Sequence, residues 1–453
     1  MTDAVAAKPV TFAHRVEFAF YRGLERLLAE APLDVVAVAG ETLGRVARRL
    51  SPKHRRLATR NLRIATANHP TDEAAIAALV NETFRRAGAN LLASLRTAVM
   101  TPEEIEPYLE VEGQTHLRPN GSGTVIVCAH MGNWEMLAQA YRSLGDDIHG
   151  GTLYRPLANP LIDQMVRARR RNQGAEVFSK FDGFHAPAAT LRDGSVVAVL
   201  SDQRAGGHGE LVPFFGRLSS CSPLPSLLAR RARARMVILS ISSISGGWRM
   251  RIRPVRAKAD TAEVMDELET AMRDSLSDVF WFHDRWRVDA VRPLHFYTKA
   301  LPTEPAKLAR VPTRALVTLP PDDPSAVAAL VRLLEIRPDA RLDVLDDGRL
   351  PELPHDDRIA RVEWDPDCPP EHLPAVLRRS DESQPAPLDF ALLLDGHRDL
   401  ARAARKFGLR AVIGVGSPGK PWTRAFERPA HVDGWRWLAD ELLRKTPPPA
   451  NPS

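Results

Sequence analysis

The segment Thr124-Val125-Ile126-Val127-Cys128-Ala129-His130-Met131-Gly132-Asn133-Trp134-Glu135 decides how this chain is read. Its first part is a short, continuous apolar and β-branched run, which predicts a strand buried on both faces, as in a parallel sheet. The run ends on His130, and Gly132 permits a tight turn into a helix that begins within three residues. A histidine and a carboxylate therefore meet at the carboxyl end of a strand, where open α/β sheets place their ligand sites. In that geometry Glu135 is expected to fix the tautomer of His130 and stabilise its protonated form. The other ring nitrogen is then left to take a proton from an attacking hydroxyl. A structural histidine beside a carboxylate at a helix N-terminus fits the same bare pattern.

Outward from this segment, apolar runs alternate with helical stretches: 124–129 then 133–144, 152–154 then 159–172, and 196–200 then 223–234. That rhythm predicts an α/β layer structure. Runs at 236–243 and 248–255 flank Gly246 and Gly247 and are expected to pair as a hairpin, and a helix follows near 261–277. Residues 296–313 carry Pro302, Pro305 and Pro312 with little periodicity and are expected to link two domains. Beyond them, strand-like runs at 315–319, 342–345, 359–364, 390–394 and 411–415 alternate with helical ones, so the second domain is expected to be Rossmann-like. The resulting organisation is an N-terminal helical segment 1–70, a first α/β domain 71–295, a linker 296–313, an accessory α/β domain 314–445 and a disordered Pro-rich tail 446–453.

The composition is that of a globular protein, 44% hydrophobic and 26% charged over 453 residues. Cys128, Cys221 and Cys368 form no C-x-x-C pair and have no histidines at zinc-ligand spacing, so no disulfide framework and no metal is expected. Charge is uneven: residues 1–310 hold 42 Lys and Arg against 33 Asp and Glu, and residues 311–453 hold 20 against 23. A basic first part favours anionic headgroups, phosphorylated substrates or an acidic carrier protein. Aromatic content of 6% and the lack of any zinc-finger, RNP or repeat signature argue against nucleic acid. No apolar run of spanning length is present. Instead Phe12, Val16, Phe20, Leu24 and Leu27 form one helical stripe, and Val35, Ala39, Leu43, Val46 and Leu50 a second, whose helix ends in Arg45, Arg48 and Arg49 before a segment with Lys53, Arg55 and Arg56. Such helices either lie in the interface of an anionic leaflet or pack as a pair on their own domain.

The run 125–135 resembles the H-x-x-x-x-D/E motif of the lipid A biosynthesis late acyltransferases, a family that includes the phosphatidylinositol mannoside acyltransferase. Further blocks agree in order: Tyr154, Arg155 and Pro156 with Asn159, Pro160 and Asp163; Asp202 and Gln203; Val212 to Gly216; and Trp281, Phe282, His283, Asp284, Arg285 and Trp286. The ordered set covers about residues 12–295. The resemblance implies an acyltransferase-type central sheet flanked by helices, with His130 and Glu135 catalytic. It implies direct acyl transfer from acyl carrier protein or a coenzyme A thioester to a lipid hydroxyl, with no cofactor beyond that co-substrate and no metal. It also implies substrate contacts at Arg155, Asp202 and Gln203, and we extend these to Asn133 beside the histidine and to Arg167 and Arg170 in the Arg-rich helix. His283 and Arg285 match the family's late block and are read as structural support. Phe214 and Phe215 fit either an acyl channel or plain core. No G-x-S-x-G elbow and no H-E-x-x-H pair is present.

Residues 324–345 distantly resemble the N-terminal half of heptosyltransferase-like GT-B enzymes, but a nucleotide-sugar half is missing. Gly414, Gly416 and Gly419 spell G-x-G-x-x-G, yet Pro421 stands where a P-loop needs a hydroxyl, so a scaffold or docking role is expected there. The sequence thus predicts an acyltransferase lying peripherally on the cytoplasmic face of a bacterial inner membrane. A catalytically inactive lipid-binding protein with a partner-docking domain is the alternative.

Overall fold

The computed structural model describes residues 9–69, 71–117, 122–138, 150–154, 156–172, 175–179, 183–295, 309–350 and 352–443. The expected linker, apart from residues 309–313, and the tail lie outside them. The chain clusters into two compact units that do not follow chain order. One comprises residues 1–55, 77–205 and 221–283, the other 56–76, 206–220 and 284–453.

The first unit is built on a seven-stranded sheet. Its strands are β1 (Leu109–Glu112), β2 (Thr124–Cys128), β3 (Gly150–Tyr154), β4 (Ala175–Ser179), β5 (Val196–Leu200), β8 (Arg235–Ile244) and β9 (Gly247–Pro254), in the order β1-β9-β8-β2-β5-β3-β4. Every residue of β2 is buried, as its uninterrupted run predicts. β2 pairs in parallel with β5 and β8, and its register sets Cys128 opposite Leu200 and Leu239. The expected hairpin is β8 with β9, the sheet's antiparallel pair. Both faces are covered by helices, among them Glu73–Thr97, Leu224–Ala232 and Thr261–Arg273. The last is started by a capping box in which Asp260 and Glu263 satisfy each other's backbone N–H groups. Ile126, Ala198, Val237, Leu239 and Met250 share a core with Leu92 and Ala93 of Glu73–Thr97.

Helices Phe12–Leu28 and Leu33–Leu50 form at the two predicted stripes. Leu33–Leu50 approaches Glu73–Thr97 so closely that a Cβ on Gly44 would stand 2.1 Å from the Phe84 carbonyl oxygen. The faces that pack are therefore Leu28, Leu33, Val36, Gly40 and Gly44, with Leu24 turned toward the core. The rest of the predicted stripes is left outward: Phe12 is 82% exposed, Phe20 72%, Leu27 75% and Leu50 78%. Among the described residues no helix is long and apolar enough to cross a membrane.

The second unit carries a six-stranded all-parallel sheet of β10 (Thr313–Thr318), β11 (Ala340–Asp346), β12 (Ile359–Glu363), β13 (Leu388–Leu393), β14 (Ala411–Val415) and β15 (Arg424–Phe426), in the order β12-β11-β10-β13-β14-β15. Counted within the unit this is 3-2-1-4-5-6, the doubly wound order. The pair β6 (Glu210–Phe214) and β7 (Arg217–Cys221) and helix Pro52–Thr66 supply arginines to it. Asp389 Oδ1 accepts from Arg60 at 2.6 Å and Arg217 at 2.9 Å, while Oδ2 accepts the Arg314 backbone N–H at 2.9 Å. Burial pushes the Asp389 carboxyl up, but Arg217 and Arg60 outweigh it and hold the group below its ordinary value. Arg314 is itself fully buried, bonded to Asp343 and to the carbonyls of Ser380, Asp381 and Ala386.

Candidate active site

The β2–β5 register builds the site. Because Cys128 lies opposite Leu200, the residues two positions further on, His130 and Asp202, emerge side by side at the carboxyl edge of the sheet. The turn after His130 is fixed by Gly132, whose φ of 56° suits glycine and whose missing Cβ would stand 2.5 Å from the Ile241 carbonyl oxygen. Backbone bonds lock the edge: Ser201 N–H donates to Cys128 O, Gly132 N–H to Asp278 O and Phe280 N–H to His130 O, at 2.8–2.9 Å.

His130 Nδ1 lies 2.8 Å from Asp202 Oδ1, with the two side chains 14% and 6% exposed. Burial pulls the imidazole down, but the charge and hydrogen bond of Asp202, helped by Glu135, hold it above its ordinary value. For Asp202 burial acts upward, and the His130 charge and hydrogen bond win and hold the carboxyl below its ordinary value. The carboxylate that orients the ring is thus Asp202. Glu135, expected in that place, sits on the 3-10 turn Trp134–Ala138 and accepts from Arg170 at 2.7 Å. Its effect on His130 is electrostatic and secondary to that of Asp202.

The other predicted residues divide. Gln203 stands at the histidine, its amide nitrogen 3.4 Å from His130 Nε2. Asn133 is buried and turns away, donating to Thr97 Oγ1 at 3.2 Å. Arg170 crosses the Tyr154 ring at 4.9 Å on its way to Glu135. Arg167 precedes it by one turn on helix Pro160–Asn172, half-buried. Arg169 is taken by Glu25 in a two-pronged ion pair, so it is not an open anion receptor as the Arg-rich stretch suggests. Asp163 accepts from Tyr154 Oη and from Leu157 N–H, both at 2.6 Å, and Asn159 holds helix Phe12–Leu28 through His14 O and Glu17. Arg155 lies outside the described residues. Phe214 and Phe215 are core: both are buried and pack on Trp286 within the second unit. Arg285 joins them there, over the Phe214 ring and bonded to Ser220 O.

His283, read from the sequence as support, lies at the site. Its ring centroid is 4.9 Å from that of His130, and its Nε2 is 3.1 Å from the Gln203 amide nitrogen. Trp134 and Phe280 complete an aromatic wall, with Trp134 5.4 Å from His130 and Phe280 5.1 Å from His283. The only sequence signal for His283 was its place in the late block. An aromatic wall, a histidine with one ring nitrogen tied to a carboxylate and a neighbouring amide are groups suited to deprotonating a hydroxyl as it attacks a carbonyl.

The chain is similar to known acyltransferases. The family described as bacterial lipid A biosynthesis acyltransferase matches residues 8–288. The lipid A biosynthesis myristoyltransferase of Escherichia coli K12 is 28% identical over 201 residues, covering 44% of this chain and 61% of that protein. The chain thus spans about six-tenths of that relative's length. The lipid A biosynthesis palmitoleoyltransferase of the same organism is 22% identical over 296 residues, covering 61% of this chain and 93% of the other. Among solved structures, the 1-acyl-sn-glycerophosphate acyltransferase of Thermotoga maritima is 17% identical and covers 48% of this chain and 94% of its own, with a TM-score of 0.24.

Proposed function

The chain belongs to the bacterial lipid A biosynthesis acyltransferase family, and from that premise we propose that it moves a fatty acyl group from an acyl carrier protein or coenzyme A thioester to a hydroxyl of a lipid A-like glycolipid. The observation that carries this reading is the pairing of His130 Nδ1 with buried Asp202 at the edge of β2, which leaves Nε2 as the proton acceptor. As the acceptor oxygen attacks the thioester carbon, its proton passes to His130 Nε2. When the carbon–sulfur bond breaks, the same proton goes to the departing thiolate. No covalent acyl-enzyme is required. Glu135 and Arg170, bonded to each other beside the histidine, contact the acceptor in this reading, and Arg155 of the family-like Tyr154-Arg155-Pro156 block contacts its phosphate or the reacting oxygen.

The enzyme reaches its lipid from a peripheral position on the cytoplasmic face of the inner membrane. The outward stripes of Phe12–Leu28 and Leu33–Leu50 enter the interface of an anionic leaflet, and Arg15, Arg26, Arg45 and Arg49 reach the headgroups. The reading is tested by offering the purified chain labelled acyl carrier protein and acyl coenzyme A with a lipid extract of the host and resolving products by mass. A lipid heavier by one acyl group is expected with at least one donor. Lipid bound by the chain but unacylated with both donors would replace the enzyme with an inactive lipid-binding protein.

A further inference from the structure

The carboxamide of Gln203 stands between two histidines, its nitrogen 3.4 Å from His130 Nε2 and 3.1 Å from His283 Nε2. Asp202 determines which end of the amide faces them. His130 Nδ1 carries the proton shared with that carboxylate, so its Nε2 is an acceptor and the group opposite must be an N–H. The two hydrogens of a single NH₂ then serve both rings, and His283 accepts at Nε2 with its own proton on Nδ1. Burial, followed by the nearby His130 charge, holds His283 below the ordinary imidazole value, which keeps it neutral and accepting.

In the free protein Gln203 therefore covers the lone pair that a substrate hydroxyl must reach. When the hydroxyl takes that place, one N–H of Gln203 is released while the other stays tied to His283. We propose that Gln203 is a catalytic residue whose released N–H donates to the carbonyl oxygen of the acyl donor as negative charge develops on it, and that His283 is the positioning residue that holds the amide there. The proposal rests on the acyl-transfer reading above. The acceptor O–H bond breaks, its proton goes to His130 Nε2, and the oxygen's electron pair forms the bond to the thioester carbon. The carbonyl π pair moves onto the oxygen facing Gln203. Collapse restores the carbonyl, breaks the carbon–sulfur bond and releases a thiolate that takes the proton back from His130. Trp134 and Phe280 flank this point, and a donor beside such apolar rings is worth far more than one in water.

The test is steady-state acyl transfer by the full chain carrying Gln203→Leu, Gln203→Glu, His283→Ala or His283→Gln, with kcat, both KM values, the pH profile and thermal unfolding recorded. Gln203→Leu is expected to lose roughly 100- to 1000-fold in kcat, the cost of one oxyanion donor, with both KM values and unfolding unchanged. Its acid limb should move to higher pH, because the neutral form of His130 loses a donor. His283→Ala should show a smaller kcat loss, and His283→Gln, whose side-chain carbonyl accepts the same N–H, should recover most of it. If Gln203→Leu does not fold, Gln203→Glu, of the same size, reports the same loss in kcat. A Gln203 variant that folds and keeps kcat within about threefold, or loses activity through KM alone, overturns the proposal. If that happens while wild type is active and His130→Ala is dead, only this proposal falls. A wild type that transfers no acyl group removes the function reading and this proposal with it.

Discussion

Replacing Asp202 by Asn keeps the shape of the side chain and removes its charge. In the folded protein the carboxylate is almost completely buried and 2.8 Å from His130 Nδ1. Two opposite charges about 4 Å apart at an effective dielectric constant of about 20 attract by roughly 4 kcal/mol, the scale of what the carboxylate would give to an imidazolium formed in the proposed transfer. Lost in full from the barrier, that is about a 1000-fold fall in kcat. The amide adds a second fault, since an N–H turned toward Nδ1 would select the tautomer with its proton on Nε2, where the base must be free. The assay is acyl transfer measured across the neutral pH range. In wild type the acid limb should lie above the ordinary imidazole value of 6.5, because Asp202 and Glu135 together outweigh burial and hold His130 protonated to higher pH. In Asp202→Asn the limb should move to lower pH while kcat falls. Glu135→Gln, which breaks the pair with Arg170 and leaves the His130–Asp202 bond in place, should shift the limb less. A loss under about tenfold for Asp202→Asn, or a larger limb shift for Glu135→Gln, would refute Asp202 as the partner of the base.

Two other perturbations probe the surroundings of the site. Phe12 and Phe20 stand on the outward stripe, and each buried phenylalanine is worth roughly 1.5–3 kcal/mol. Phe12→Ser with Phe20→Ser should therefore weaken binding to phosphatidylglycerol vesicles by about 100-fold or more, read by co-sedimentation, and unchanged binding would show that the stripe does not enter the bilayer. Asp389→Ala leaves Arg217 buried without its carboxylate and should cost about 3–5 kcal/mol in chemical denaturation. A loss below about 1 kcal/mol would mean that these pairs do not hold β6, β7 and helix Pro52–Thr66 in the second unit.

The sheet around His130 was readable because β2 and β5 are uninterrupted apolar runs and because Gly246 and Gly247 mark the β8–β9 turn. β1 and β4 carry no such signal. β1 alternates half-buried with exposed residues, and β4 is five residues long with a charge inside it. The histidine and its edge position were legible, but its partner was not. Glu135 is five residues away in sequence, and the 3-10 turn sends it to Arg170. Asp202 is 72 residues away and arrives through the order of strands in the sheet, which no local pattern encodes. The same holds for Arg169, whose partner Glu25 comes from a helix far away in sequence. Residues 56–76 and 206–220 group with the second sheet, and the pairs of Asp389 and Asp381 with their arginines there are long-range contacts that periodicity cannot reveal.

Proton transfer from the acceptor hydroxyl to His130 is the step on which the proposed reaction turns. It is tested most directly by the rate of acyl transfer from labelled donor to the host lipid extract with wild type and with His130→Ala, both shown to be folded and to bind lipid vesicles equally. Product is expected with wild type and a loss of at least about 1000-fold with His130→Ala. Transfer by His130→Ala at a rate near that of wild type would contradict it.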